Sequence, residues 1–257
     1  MAFAQHGVDA MAMPLIEIRP VSDIRAVQAA WAGLPTCTAV MFVSASAVDH
    51  FFAGDPGLGV PVGGTRMWAT GPGTVAALER HGVPRQRIDA PDADAGQFDS
   101  EALWQIVGGT VRSDQRVLIV RGSDHDPAPS PAIDELRRAD DPAHPAGLGR
   151  DWLARQLVQS GAQVDFVVAY WRAAPAPDAL WLERARAAAH DATIWLFTSG
   201  EAIGNLLALL PEQDWSQARA LATHPRIAEA ARNAGFGVVW TSRPALPDVV
   251  ASIKSAG

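Results

Sequence analysis

Tyr170 is the sole tyrosine of the chain, and it closes an extended apolar run that starts at Val164. A phenol in that position can donate a proton to a leaving group, or it can bond a carbonyl at a domain hinge. Small and hydroxyl residues follow other apolar runs: Ser44-Ala45-Ser46 after Ala39–Val43, Thr70-Gly71 after Met67–Ala69, Thr198-Ser199-Gly200 after Ile194–Phe197, and Thr223 after Ala220–Ala222. Where helices begin at such points, their exposed N–H groups and partial positive charge attract carboxylates and phosphates. The same hydroxyls also serve as plain helix caps. Arg121 and Arg150, Arg19 and Arg172 pair with substrate carboxylates or with neighbouring acids.

Other chemistries find little to work with. Cys37 is the one cysteine, which excludes an internal disulfide and a thiolate metal cluster. Seven histidines are scattered without ligand spacing, so no metal is expected. Lys254 is the only lysine and lies in the C-terminal tail, which sets Schiff-base chemistry aside. No phosphate-cradling loop with lysine, dinucleotide glycine triplet or serine elbow occurs. The net charge is −7, from 21 basic against 28 acidic side chains, and no basic stretch alternates with aromatics, so nucleic acid is not an expected partner. No apolar run reaches the about 18 residues of a membrane span, and the first residues lack the pattern of a secretory signal; a cytoplasmic location is expected.

The candidate residues need elements that bring them to binding rims, and an internal duplication supplies these. Ala39–Val43 leads through Ser44 into an amphipathic stretch ending at Gly54, and Thr193–Thr198 leads through Ser199 into Gly204–Leu210. Each copy continues with a second short strand, a turn and a helix. Pro72 and Gly82 stand ten positions apart, as do Pro225 and Gly235, which fits a helix opened by proline and closed by glycine. Strand, turn, helix in this rhythm predicts an α/β fold of two similar parallel-sheet, flavodoxin-like domains. Ligands of such sheets bind beyond the carboxyl ends of the strands, where all the turn residues above would gather. Val117–Gly122 reads as a further buried strand and turn. Residues 123–148, with five prolines, read as an inserted mobile surface loop in which Ile133–Arg138 could make a short helix. Pro14–Arg19 is a second extended run able to pair with Val164–Tyr170 as a crossing between the domains.

Pro14–Ile18, Phe42–Val48, Thr70-Gly71-Pro72-Gly73-Thr74, Val120-Arg121-Gly122 with Gly149–Leu153, Val168–Arg172 and Phe197–Ala202, in this order, together resemble the uroporphyrinogen-III synthase family. The resemblance implies two α/β domains joined by a two-stranded β-ladder: residues 1–17 with 173–257 as the first, and 18–172 as the second. It implies a cyclising lyase of haem biosynthesis acting on hydroxymethylbilane, with loss of water and inversion of ring D, without metal or organic cofactor. The linear tetrapyrrole loses hydroxide to give an azafulvene-like electrophile, is attacked at the substituted carbon of ring D, and passes through a spiro intermediate that fragments and recloses. Tyr170 matches the tyrosine proposed as proton donor to the departing hydroxyl. Ser44, Ala45, Ser46, Thr70, Gly71, Arg121, Thr198, Ser199, Gly200 and Thr223 match the family's cleft, where main-chain donors would meet eight carboxylates.

A monomer is implied, with transient contact with the preceding pathway enzyme as a further partner. Family members begin with a short strand and an Arg-Pro turn. Here Met1 falls in the helix before Gly7-Val8-Asp9, so the first domain is expected to lack its N-terminal strand and to show poor stability or low activity. A non-catalytic two-domain ligand-binding paralogue is the alternative within the fold, and an unrelated doubly wound α/β enzyme the alternative outside it.

Overall fold

The computed structural model describes residues 3–60, 63–92, 99–127, 137–138 and 150–256. The elements in chain order are β1 (Glu17–Pro20), α1 (Arg25–Gly33), β2 (Ala39–Phe42), α2 (Ala45–Ala53), β3 (Arg66–Ala69), α3 (Pro72–Arg80), β4 (Ile88–Asp89), α4 (Ser100–Val107), β5 (Arg116–Ser123) and β6 (Arg137–Arg138). They continue as α5 (Arg150–Gln159), β7 (Gln163–Ala173), α6 (Ala179–Ala187), β8 (Ile194–Phe197), α7 (Gly200–Leu209), β9 (Arg219–Ala222), α8 (Pro225–Asn233), β10 (Val238–Thr241) and α9 (Leu246–Ala256). The chain divides into two compact units, Met1–Glu17 with Ala173–Gly257, and Ile18–Arg172. None of the helices among the described residues is long and apolar enough to cross a membrane.

In the unit formed by residues 18–172 the strand order is β1-β7-β5-β2-β3-β4. The pairs β7–β5, β5–β2, β2–β3 and β3–β4 are parallel. Alternation along the strands separates two cores, because successive side chains leave a sheet on opposite faces. Val40, Phe42, Met67, Ala69, Leu118 and Val120 pack with Trp31, Phe51 and Leu78 on one face. Ala39, Met41, Trp68, Val117 and Ile119 pack with Leu103, Leu153 and Leu157 on the other. Trp31 stacks on Phe51 at 4.8 Å and donates its indole N–H to the Phe51 carbonyl, so α1 and α2 are pinned together.

The extended run predicted as a crossing does pair as expected, β1 beside β7, but the pair is not a free-standing ladder: β7 is also the parallel neighbour of β5 and thus part of the sheet. The segment 123–148 also departs from the expected loop. Ser123 is the last residue of β5, and Arg137–Arg138 pair antiparallel with Asp165 and Phe166 instead of ending a helix. β7 has eleven residues and β1 only four, so the edge facing away from β5 holds both β1 and β6. Residues 128–136 and 139–149 lie outside the described residues.

The other unit holds a three-stranded parallel sheet in the order β10-β9-β8. Trp195, Phe197, Trp215 and Phe236 form its aromatic core, with Trp215 and Phe236 stacked at 5.1 Å. Leu15 joins that core, and Asn205 of α7 donates to the Leu15 carbonyl at 2.8 Å. The first residues form a 3₁₀ turn, Ala4–His6, closed by Gly7 at φ 70°. The prolines and glycines of the repeat act as predicted: α3 and α8 begin at Pro72 and Pro225, and Gly82 and Gly235 follow their ends at φ 82° and 91°, a conformation that costs glycine little.

Candidate functional site

In the larger sheet, the turns beyond the carboxyl ends of the strands carry most of the candidate residues. β2 ends at Phe42, and Ser44, extended at φ −166°, caps α2 by accepting the Ala47 N–H at 3.1 Å. Tyr170 near the end of β7 is buried, and its hydroxyl lies 3.1 Å from Ser44 Oγ. With the phenol donating, Ser44 Oγ accepts two hydrogen bonds, and its own proton is left to point elsewhere. Ala45 and Ser46 form the first turn of α2.

The hydroxyls divide between caps and bystanders. Thr70 precedes the cap of α3, which is Gly71, so its hydroxyl is not the capping group. Ser199 caps α7 by position without a side-chain hydrogen bond. The cap of α8 is His224, whose Nδ1 accepts the Arg226 N–H at 3.1 Å; Thr223 instead donates its N–H to the Phe197 carbonyl, tying the ends of β8 and β9 together. Thr198 and Gly200 flank Ser199 at the mouth of α7. In each unit the small residues thus collect at the starts of long helices that follow parallel strands.

Of the arginines singled out in the sequence, one is seen with an acid and two with aromatic rings. Arg172 is ion-paired with Asp124, Arg19 lies over the Trp171 ring at 5.4 Å, and Arg121 lies over Phe166 at 4.8 Å. Cys37 is buried, and burial pushes its thiol up from the ordinary value, away from nucleophilic use at neutral pH.

A model of the family described as Uroporphyrinogen-III synthase HemD matches residues 1–135 and 130–251. The chain belongs to the uroporphyrinogen-III synthase family. Solved structures agree at the level of fold. A mutant uroporphyrinogen III synthase from the extremely thermophilic bacterium Thermus thermophilus is 15% identical, with 99% of this chain and 92% of that one covered and a TM-score of 0.51. Uroporphyrinogen-III synthetase from Helicobacter pylori is 12% identical, with 95% and 91% covered and a TM-score of 0.52.

For a uroporphyrinogen-III synthase family member, the sequence reading named Ser44 and Tyr170 separately, and the fold brings the two hydroxyls together although they are 126 positions apart. It missed His50. The imidazole of His50, on α2, stacks against Tyr170 with ring centroids 5.7 Å apart and planes 27° apart. Burial lowers the His50 pKa from its ordinary value, against an opposing pull from Asp49. A signal was available in the repeat: aligning Ser44 with Ser199 aligns His50 with Asn205, which is bonded to Leu15 and holds structure instead of facing a phenol.

Proposed function

We propose that this protein cyclises hydroxymethylbilane to uroporphyrinogen III, with loss of water and inversion of ring D. Membership of the family supports the reaction class, and the Tyr170–Ser44 pair at the carboxyl rim of a parallel sheet is the observation that carries the chemistry. The substrate's leaving group is a hydroxyl, which departs easily only when a proton arrives with it. Tyr170 supplies that proton through Ser44: the phenol O–H passes to Ser44 Oγ as the Ser44 proton passes to the hydroxyl, and water leaves. The electrophile closes onto ring D through the spiro intermediate, and the proton lost when the last pyrrole regains aromaticity restores the phenol, so the sum is substrate to macrocycle plus water.

The rest of the work is holding a reactive chain in the bent form, which is an orientation effect rather than a bond-making one. Within each unit, taken by itself, helix starts present N–H groups suited to carboxylates, those of α2 and α3 in one and those of α7 and α8 in the other, in a protein of net charge −7. Ser46, Thr70, Thr198, Ser199 and Thr223 add hydroxyls beside those amides. The reaction so written takes no metal and no organic cofactor, and a single chain performs it.

An assay with enzymatically generated hydroxymethylbilane tests the reading: the type III isomer forms faster than the uncatalysed type I isomer. Tyr170→Phe lowers turnover by about a hundredfold, the usual worth of a positioned acid. Type I isomer alone, at the uncatalysed rate, would place the chain among ligand-binding relatives instead.

A further inference from the structure

We infer that Gly122 and His50 are positioning residues that seat the Tyr170 ring against Ser44; this deepens the function proposed above and rests on Tyr170 as its proton donor. The sheet order sets β5 between β7, which carries Tyr170, and β2, which leads into Ser44. Neighbouring strands lie about 4.8 Å apart, so a side chain rooted in β7 reaches Ser44 only by lying across β5. It crosses at Gly122.

Three observations converge there. The β5–β7 register shifts between Arg121 and Gly122: Arg121 faces Val168 and Gly122 faces Tyr170, leaving Ala169 as the extra residue. A bulge of this kind re-aims the side chains beyond it. A Cβ built on Gly122 would overlap Cε2 and Cζ of the Tyr170 ring and stand 2.9 Å from its oxygen, and a buried ring has no flexible end to move aside. Gly122 is not among the glycines with positive φ, so the backbone does not demand glycine there; the ring does. On another side the imidazole of His50 stacks on the ring, and Ser44 fixes the hydroxyl. The phenol is thereby held at both ring and tip by residues from β5 and α2.

Because Tyr170 is the only tyrosine, protein labelled with 3-fluorotyrosine gives a single fluorine resonance that reports the seat directly. Gly122→Ala is expected to shift that resonance and to lower kcat about tenfold with KM within about twofold, since a displacement near 1 Å can cost up to about a hundredfold in rate. His50→Ala shifts the resonance and lowers kcat less, and His50→Phe, which restores a flat ring, recovers both. A wild-type resonance and kcat in Gly122→Ala would overturn the inference, as would a His50→Phe protein no better than His50→Ala. Should Gly122→Ala fail to fold, the His50 pair decides alone. If Tyr170→Phe turns over at the wild-type rate, the proton-donor role falls, and the fluorine shift still tells whether Gly122 and His50 seat the ring.

Discussion

β2 and β8 open the two copies of one strand–turn–helix unit, and their surroundings differ. β2 has β3 on one side and β5 on the other, whereas β8 pairs with β9 and has no second partner among the described residues. Matching Ser44 to Ser199 matches Met41 to Leu196. Met41 is 0% exposed and Leu196 is 36% exposed. The flank that distinguishes the copies is also the flank that holds the Tyr170–Ser44 pair, because β5 and β7 bring Gly122 and Tyr170 to Ser44 and no described strand does so for Ser199. Duplication of a turn therefore repeats its backbone donors without repeating the phenol beside them.

The largest predicted effect lies in the matched pair Met41 and Leu196. Met41→Ala empties a volume enclosed by α4 and α5 and is expected to cost about 2–5 kcal/mol. Leu196→Ala, on a half-open face, should stay within about 0.5 kcal/mol of wild type. Urea unfolding of the two variants measures both. Equal losses would mean that β8 is covered in solution by something that these residues do not show.

A smaller effect separates the two caps. Ser44→Ala removes a real acceptor from the Ala47 N–H and should cost about 1 kcal/mol, with the phenol's lost partner adding to it. Ser199→Ala removes a hydroxyl that bonds no helix N–H and should change stability by less than about 0.5 kcal/mol. The same two variants, assayed for turnover, should differ in the same order. A Ser199→Ala protein as unstable as Ser44→Ala would erase the distinction.

The repeat was legible because its signals are local. Pro72 and Gly82, like Pro225 and Gly235, state where a helix opens and closes, and those statements need no partner. Tyr170 and Ser44 were each reached through the resemblance, but their contact was not, since 126 positions separate the two and only the sheet order joins them. His50 and Gly122 were beyond reach for a related reason. A histidine beside Asp49 on an amphipathic helix reads as surface, and a glycine after a buried strand reads as a turn. Their roles appear only once a side chain from another strand lies across them. Arg137–Arg138 failed in the opposite direction: local sequence favours a short helix, and the unoccupied edge of β7 outweighed it.

The smallest prediction turns on protonation, and it too separates the copies, since Asn205 stands where the other copy has His50. Burial lowers the His50 pKa below its ordinary value, while Asp49 opposes the shift. Asp49 is itself shared with Arg80 at 3.1 Å and His81 at 2.9 Å, which limits what it offers His50. As pH falls below about 6.5, the unfolded chain binds the proton that the folded imidazole resists, so stability drops and goes on dropping until the folded value is passed. Above that range the neutral ring stacks on Tyr170 without penalty. His50→Phe keeps the stack and removes the titration, so its stability should fall less than that of the wild type between pH 7 and pH 5. Parallel pH profiles for the two proteins would show that the proton of His50 is not excluded by the ring it faces, and would leave the two copies alike in this respect.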